Sequence, residues 1–363
     1  MAVYKIFAEK DATLYSNYPN ENTGLDEILE IGNTLGPDTG DTPQVMRPII
    51  KFTTADIADV LDNKVAGAAF TASLKLYVAD ADSIPLDYSI ECYLLSGSWN
   101  MGTGKFGDVP ENNTGVSWQW RSSAEVDPWI PVAYSSSVTA SYASGYEGGG
   151  TFIKNNVSTQ SFAHSDYQDI IIDVTNQVRS IYSSSLNDGF VLKLQDSLEF
   201  QSSSYFALKY FSVDTHTIYP PVLEFAWNDS VFTTGSNAII SDPNFVVTFT
   251  SNQYEYNRNS TQRFRLNSRP QYPARAFTTS SVYLNSFYLP ENSYYQIRDL
   301  DTDEIIVDFD NNNTKISADS TSSYFDVYMN GLQPERYYKI FIKTTLDGST
   351  IIRDGELTFK VTQ

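Results

Sequence analysis

The stretch Ile170–Leu194, IIIDVTNQVRSIYSSSLNDGFVLKL, sets one short helix between two strands in a chain otherwise dominated by strand patterns. Ile170, Ile171 and Ile172 are β-branched and apolar, as in a buried strand. After Asp173 the apolar positions move to Val174, Val178, Ile181 and Tyr182, which is helical spacing. Thr175 is placed to cap the first turn with its hydroxyl, and Asn187-Asp188-Gly189 tolerates the positive φ of a turn. Phe190–Leu194 then resumes as a strand. Nothing in this block offers chemistry; Val178 and Ile181 are expected in a core, with the helix closing one edge or end of a sandwich.

Outward from this block, short apolar or alternating runs recur at Val3–Phe7, Ile28–Ile31, Ile49–Phe52, Ser73–Val78, Ser89–Leu94, Phe206–Phe211 and Val222–Trp227, separated by Asn, Gly and Pro. No crossover helices lie between them, so a two-sheet sandwich is favoured over a parallel α/β sheet. The 25 Tyr and 21 Phe, good strand formers, agree with this. With 363 residues the chain is long enough for two domains. The expected fold is all-β: a jelly-roll-like β-sandwich over 1–227, a linker at 228–241, and a smaller immunoglobulin- or fibronectin-like sandwich over 242–363. In the latter, GLQPERYYKIFIKTTLDGS (331–349) combines a Gly-Leu-x-Pro turn, a Tyr-rich alternating strand and a Leu-Asp-Gly turn. Val282–Tyr288 is among its expected strands.

Residues 96–157 interrupt the first domain with a long irregular insertion rich in Gly, Ser and Trp. Four of the five tryptophans, Trp99, Trp118, Trp120 and Trp129, lie there, so its first half is expected to be anchored by aromatic burial. The part from Ser141 to Gly150 is expected to be mobile.

The 44 acidic against 24 basic residues give a formal charge of -20, which repels nucleic acid and anionic membranes; neither is an expected partner. The N-terminal residues show no signal-peptide pattern, so the product is expected to begin in a cytoplasm, and no run is long and apolar enough for a membrane helix. The single cysteine, Cys92, allows no intrachain disulfide and reads as a small core hydrophobe. His164 and His216 sit in polar connections with no metal-ligand spacing. No nucleophile-elbow, HExxH or phosphate-loop motif is present, so no catalytic residue, bound metal or cofactor is expected.

Three other readings concern sites. RDLDTDEIIV (298–307) resembles the start of a calcium loop, but Glu304 stands where an EF-hand needs Gly, which favours a hairpin turn. Calcium at the N-terminal edge, on Glu9 and Asp11, is kept as the alternative to an empty cofactor assignment. From Arg258 to Pro290, five arginines, Arg258, Arg263, Arg265, Arg269 and Arg275, occur without an acidic residue, and are candidate assembly contacts for a carboxylate-bearing neighbour.

Four segments in order, DATLYSNYPNENTGLDEILEIGN (11–33), RPIIKFTTADI (47–57) with ASLKLYVADA (72–81), WNMGTGKFGDVPENNTGVSWQWRS (99–122) and DIIIDVTNQVRSIYSSSLNDGFVLKLQ (169–195), resemble the DNRLRE-type sandwich, a domain related to carbohydrate-binding modules. The resemblance covers about residues 1–227, and its elaborations look most like versions in tailed-phage virion proteins. It implies a virion structural component in the neck, tail, baseplate or fibre region, assembled in the host cytoplasm with other virion proteins and copies of itself, and not an enzyme. The alternative it implies is a host-glycan receptor module, with Trp99, Trp118, Trp120 or Trp129 stacking on sugar rings.

Overall fold

The computed structural model describes residues 2–35, 43–123, 126–129, 138–139, 148–163, 165–201, 204–235, 237–250, 252–274 and 286–363. The protein is an all-β molecule built of sandwiches whose strands pair mostly antiparallel. Its Cα packing divides it into two units, Ile6–Lys64 with Thr71–Glu224, and Phe225–Gln363 with Met1–Lys5 and Val65–Phe70.

The first sandwich has a four-stranded sheet made of β1 (Ala2–Phe7), β13 (Val222–Trp227), β5 (Phe70–Leu76) and β10 (Ile170–Asp173), in that order. The second sheet has nine strands. Its order is β6 (Val78–Asp82), β12 (Phe206–Phe211), β3 (Ile28–Leu35), β4 (Pro43–Lys51), β11 (Phe190–Leu194), β7 (Asp87–Leu95), β9 (Phe152–Ala163) and β8 (Val138–Thr139), with β2 (Lys10–Tyr15) also paired to β4. β4 and β11 are buried almost without interruption, so both faces of the nine-stranded sheet are covered at its centre. A strand buried on both faces reads as a continuous apolar run, which is why RPIIK and FVLKL lack clean alternation.

The helix of the opening block is α2 (Thr175–Ser184), with Val174, Val178 and Ile181 in the core. Two details differ from the sequence reading. The Thr175 hydroxyl does not cap the first turn: Asp173 Oδ1 accepts from the Thr175 N–H at 2.9 Å and from its hydroxyl at 2.5 Å, while Thr175 Oγ1 accepts from the Ala72 N–H at 2.8 Å. The N-cap is Val174, whose carbonyl accepts from the Val178 N–H at 2.9 Å, and the Thr175 hydroxyl is taken up between the Asp173 carboxylate and a neighbouring strand. Tyr182 is exposed and hydrogen-bonds Asp62.

The same block also meets the nine-stranded sheet at a bulge. The β7–β9 register slips between Cys92 and Leu94. A β-bulge of this kind leaves backbone carbonyls without ladder partners. Gln177, buried on α2, donates Nε2 to the Cys92 carbonyl at 3.4 Å and the Asn156 carbonyl at 3.2 Å, and to Ser158 Oγ at 2.9 Å. One amide thus ties α2 to the β7–β9 bulge. A second helix that the sequence reading passed over, α1 (Thr54–Asp59), continues into a wider turn over Val60–Val65 and buries Ile57, Val60, Leu61 and Val65, an i, i+3, i+4, i+8 pattern. A one-turn helix, α3 (Asp196–Glu199), follows β11.

The C-terminal unit is an immunoglobulin-like sandwich. One sheet runs β14 (Phe245–Thr250), β16 (Thr261–Pro270), β20 (Ser323–Tyr328), β19 (Ser317–Ala318); the other runs β15 (Glu255–Asn257), β22 (Ser349–Thr362), β21 (Tyr337–Leu346), β17 (Ser293–Asp299), β18 (Ile305–Val307). Tyr295, Ile297, Phe325, Ile340, Ile342 and Phe359 interdigitate between them, with the Tyr295 and Phe325 rings stacked at 4.2 Å. The stretch 228–241, expected to be a linker, packs onto this unit: Thr233 N–H donates to the Ala318 carbonyl at 2.9 Å, Ile240 N–H to the Tyr288 carbonyl at 2.8 Å, and Ile240 joins the core. Its polar composition hid two short strand-like bridges. Most of the expected strand Val282–Tyr288 lies outside the described residues; Phe287 and Tyr288 form isolated bridges.

Candidate functional site

The insertion after β7 folds back over the outer face of the nine-stranded sheet and makes a second core there. Ala12, Leu14, Val45, Ile49, Leu95 and Val191 from the sheet meet Trp99, Val116, Trp118, Trp129 and Phe152. Trp99, Trp118 and Trp129 are therefore core residues, and a buried indole has no face to offer a sugar ring; the glycan reading loses these three contacts. Trp99 Nε1 donates to the Asp188 carbonyl at 2.8 Å and Trp129 Nε1 to the Ser117 carbonyl at 3.0 Å. Trp120 differs: it is partly exposed, with Nε1 donating to Asn20 Oδ1 at 2.7 Å. Phe106, which the sequence reading did not single out, is 45% exposed and stands against Tyr15 and Tyr18 at 4.6 and 5.2 Å.

Asn22 organises the first part of the insertion. Its Nδ2 donates to the Met101 and Val116 carbonyls at 2.7 and 2.8 Å, and its Oδ1 accepts from the Gly104 N–H at 2.8 Å. The glycines of GTGKFGD thus have a packing reason: a Cβ on Gly102 would lie 2.3 Å from Asn22 Oδ1. The close of the insertion is equally tight. Gly149 has φ +72, and a Cβ there would stand 2.6 Å from the Trp118 ring and 2.8 Å from Arg47 Nη1. Of the Ser141–Gly150 part expected to be mobile, 141–147 lie outside the described residues, whereas Gly148–Gly150 are buried.

Beneath this cover lies a group of buried charges that no sequence motif announced. Arg47 on β4 and Glu199 on α3 are both fully buried, joined by Nε–Oε1 at 2.6 Å and Nη2–Oε2 at 2.8 Å. Arg47 Nη1 donates to the Gly149 carbonyl at 2.9 Å, and the guanidinium lies 5.1 Å from the Trp118 ring. Lys193 on β11, 1% exposed, reaches Asp196 at 2.6 Å, Glu199 at 3.3 Å and Glu91 at 3.6 Å. Every charge here is met by an opposite one, as burial requires. The network ties sheet, α3 and insertion together, and its groups are occupied by one another.

The candidate calcium residues part company. Glu9 is exposed, while Asp11 is 1% exposed and accepts the Val213 N–H at 2.7 Å. Burial pushes the Asp11 carboxyl up to about 8. In RDLDTDEIIV, Asp299 is buried and accepts from the Asp301 and Thr302 N–H groups at 2.9 and 3.0 Å and from Arg336 Nε at 2.8 Å, which is turn and ion-pair geometry. Among the described residues, no group of three or more His, Cys, Asp or Glu is placed to hold a metal ion. Cys92 is buried and its thiol pushed well up by desolvation. His216 is exposed; His164 lies outside the described residues.

Arg263, Arg265 and Arg269 share the solvent face of β16, where Phe264, Leu266 and Ser268 point inward. Two of their guanidiniums are already engaged. Arg263 holds Asp326 through Nε and Nη2, both at 2.8 Å, and Arg265 holds Asp319 at 3.0 and 2.8 Å, with the Tyr324 ring 4.1 and 5.5 Å from the two cations. The Arg265 guanidinium keeps the Asp319 carboxyl far below its ordinary value. Arg269 Nη1 donates to the Pro270 carbonyl, Arg258 is partly buried at the end of β15, and Arg275 lies outside the described residues. The acidic partners sit more than fifty residues downstream, so a run of arginines without nearby carboxylates is not, in three dimensions, an unpaired patch.

The sequence matches no protein family, and no curated protein matches it. Among solved structures, it is similar to a DUF4785 family protein from Legionella pneumophila (9% identity, TM-score 0.18, covering 98% of this chain and 66% of that one). Others are a putative beta-galactosidase from Bacteroides fragilis (8%, 0.17, 97% and 41%) and a beta-glucuronidase from Parabacteroides merdae (9%, 0.15, 99% and 36%). The chain thus spans from about a third to just under two thirds of these proteins' lengths, and TM-scores this low carry no argument.

Proposed function

We propose that the protein is a structural component of a tailed-phage virion and acts by burying its surface against other virion proteins or copies of itself. One observation supports this most. Three tryptophans of the insertion, and the Arg47–Glu199–Lys193 network of β4, α3 and β11 beneath it, are consumed in folding the insertion onto its sheet. The β16–β20 face presents outward charges paired with one another beside the Tyr324 ring, the material of protein contacts. The ordered resemblance of four segments supplies the setting.

Peptide mass spectrometry of purified virions from the phage that encodes the chain tests this: the protein is expected at a stoichiometric copy number. Absence from intact particles would overturn the reading. Specific retention on a glycan array that Trp120→Ala weakens would instead favour the receptor-module alternative, since Trp120 is the one candidate tryptophan with exposed ring surface.

A further inference from the structure

The insertion carries a strap whose feet and tip are held by different chemistry. Its feet are backbone bonds: the Leu25 N–H donates to the Gly104 carbonyl at 2.9 Å, and the Asn22 N–H to the Asn112 carbonyl at 2.8 Å. Residues 105–111 run between them, and their tip hangs on two side-chain carboxyls. Asp26 Oδ1 accepts from the Phe106 N–H at 3.1 Å, and Glu21 Oε1 from the Gly107 N–H at 2.5 Å. The Phe106 ring rests on Tyr15 and Tyr18, and Tyr15 is only 4% exposed. On its other side the tip is open: a Cβ on Gly107 would meet nothing within 4 Å, and Val109 is 96% exposed.

The carboxyls that hold the tip are crowded by other acids. Asp26 is faced by Lys105 from the tip, by Glu30 from β3, by Glu21, and by the Tyr15 hydroxyl from β2, which donates to Glu30 at 2.9 Å. Glu21 is faced by Glu111 and Asp108 from the strap itself. Lys105 is shared: it lies 3.6 Å from Glu27 and also neighbours Asp214, which His216 faces. Closing the tip takes water away from these acids, so a proton on one of them favours closure. We infer that residues 105–111 form a proton-controlled latch, closed on Tyr15 and Tyr18 when Asp26 is neutral and loosened, baring those rings, when Asp26 ionises. A neutral carboxyl still accepts the Phe106 N–H through its carbonyl oxygen. Burial pushes the Asp26 carboxyl up to about 6, against the pull of the Phe106 N–H and Lys105, and burial moves Glu21 in the same direction. A carboxyl freed by opening returns toward its ordinary value near 4. The closed strap therefore binds the proton more tightly, and its advantage is lost as pH rises through about 6. The latch goes beyond the assembly reading and does not depend on it.

Residue-resolved amide hydrogen exchange of the full chain between pH 5 and pH 8, corrected for the intrinsic rate at each pH, tests it. In the natural chain, protection at Phe106 and Gly107 is expected to fall about tenfold across that range. Asp26→Asn keeps an acceptor for the Phe106 N–H and removes the proton. Its protection relative to the natural chain should therefore rise about tenfold from pH 5 to pH 8 at Phe106 and Gly107, and stay constant at Asn22 and Leu25 in the feet. A ratio that changes equally at tip and feet, or at neither, would overturn the inference. So would a natural chain whose protection at Phe106 and Gly107 holds steady or rises with pH, a result that needs no variant to fold.

Discussion

Asp11 carries the clearest consequence at the scale of one residue. Its carboxyl is buried in β2 and titrates at about 8, pushed up chiefly by desolvation, although the Val213 N–H bond pulls the other way and Asp214 adds to the rise. In the unfolded chain the group loses its proton near 4, so between about 4 and 8 the folded state binds more protons than the unfolded one. Stability therefore falls as pH rises through that window, by up to about 1.4 kcal/mol per pH unit. Asp11→Asn keeps the acceptor for Val213 and removes the linkage. The variant's advantage in melting temperature over the natural chain should widen from about pH 5 to about pH 8; a constant difference across that range would show that Asp11 ionises normally.

Among the elements, the insertion and α3 depend on the buried ion network. Glu199→Ala leaves Arg47 and Lys193 facing each other's charge without the carboxylate between them, and should cost about 3–5 kcal/mol in urea unfolding. Replacing Arg47 by Met and Glu199 by Leu together should recover much of the loss, since an apolar pair suits the surrounding core. A cost for Glu199→Ala below about 1 kcal/mol would mean that water reaches the site.

This network also marks how far the sequence is legible. The strand pattern, the helix at Thr175–Ser184 and the aromatic anchoring of the insertion follow from local period and composition, because burial leaves its signature in neighbouring residues. Which face the tryptophans bury against does not, since it depends on Leu14, Val45 and Val191 brought together by sheet pairing. Nor do the ion pairs: Glu199 lies 152 residues from Arg47, and Asp319 and Asp326 lie 54 and 63 residues from Arg265 and Arg263. Helix α1 was legible from Ile57, Val60, Leu61 and Val65, and was obscured by its shortness.

For the whole molecule, the uneven distribution of charge and the two decorated sheet faces of the C-terminal sandwich are the features that bear on function. One face, on β16 and β20, has closed its arginines on its own aspartates; the other, on β17 and β21, keeps Lys343 on rings with no carboxylate partner among the described residues. The measurement that tests the account most directly is a cryo-EM reconstruction of the virion at side-chain resolution. It should place this chain in the particle with roughly 800 Å² or more buried per neighbour and ordered protein contacts on its sheet faces. A reconstruction in which the chain is absent, or is tethered with those faces open to solvent, would contradict it.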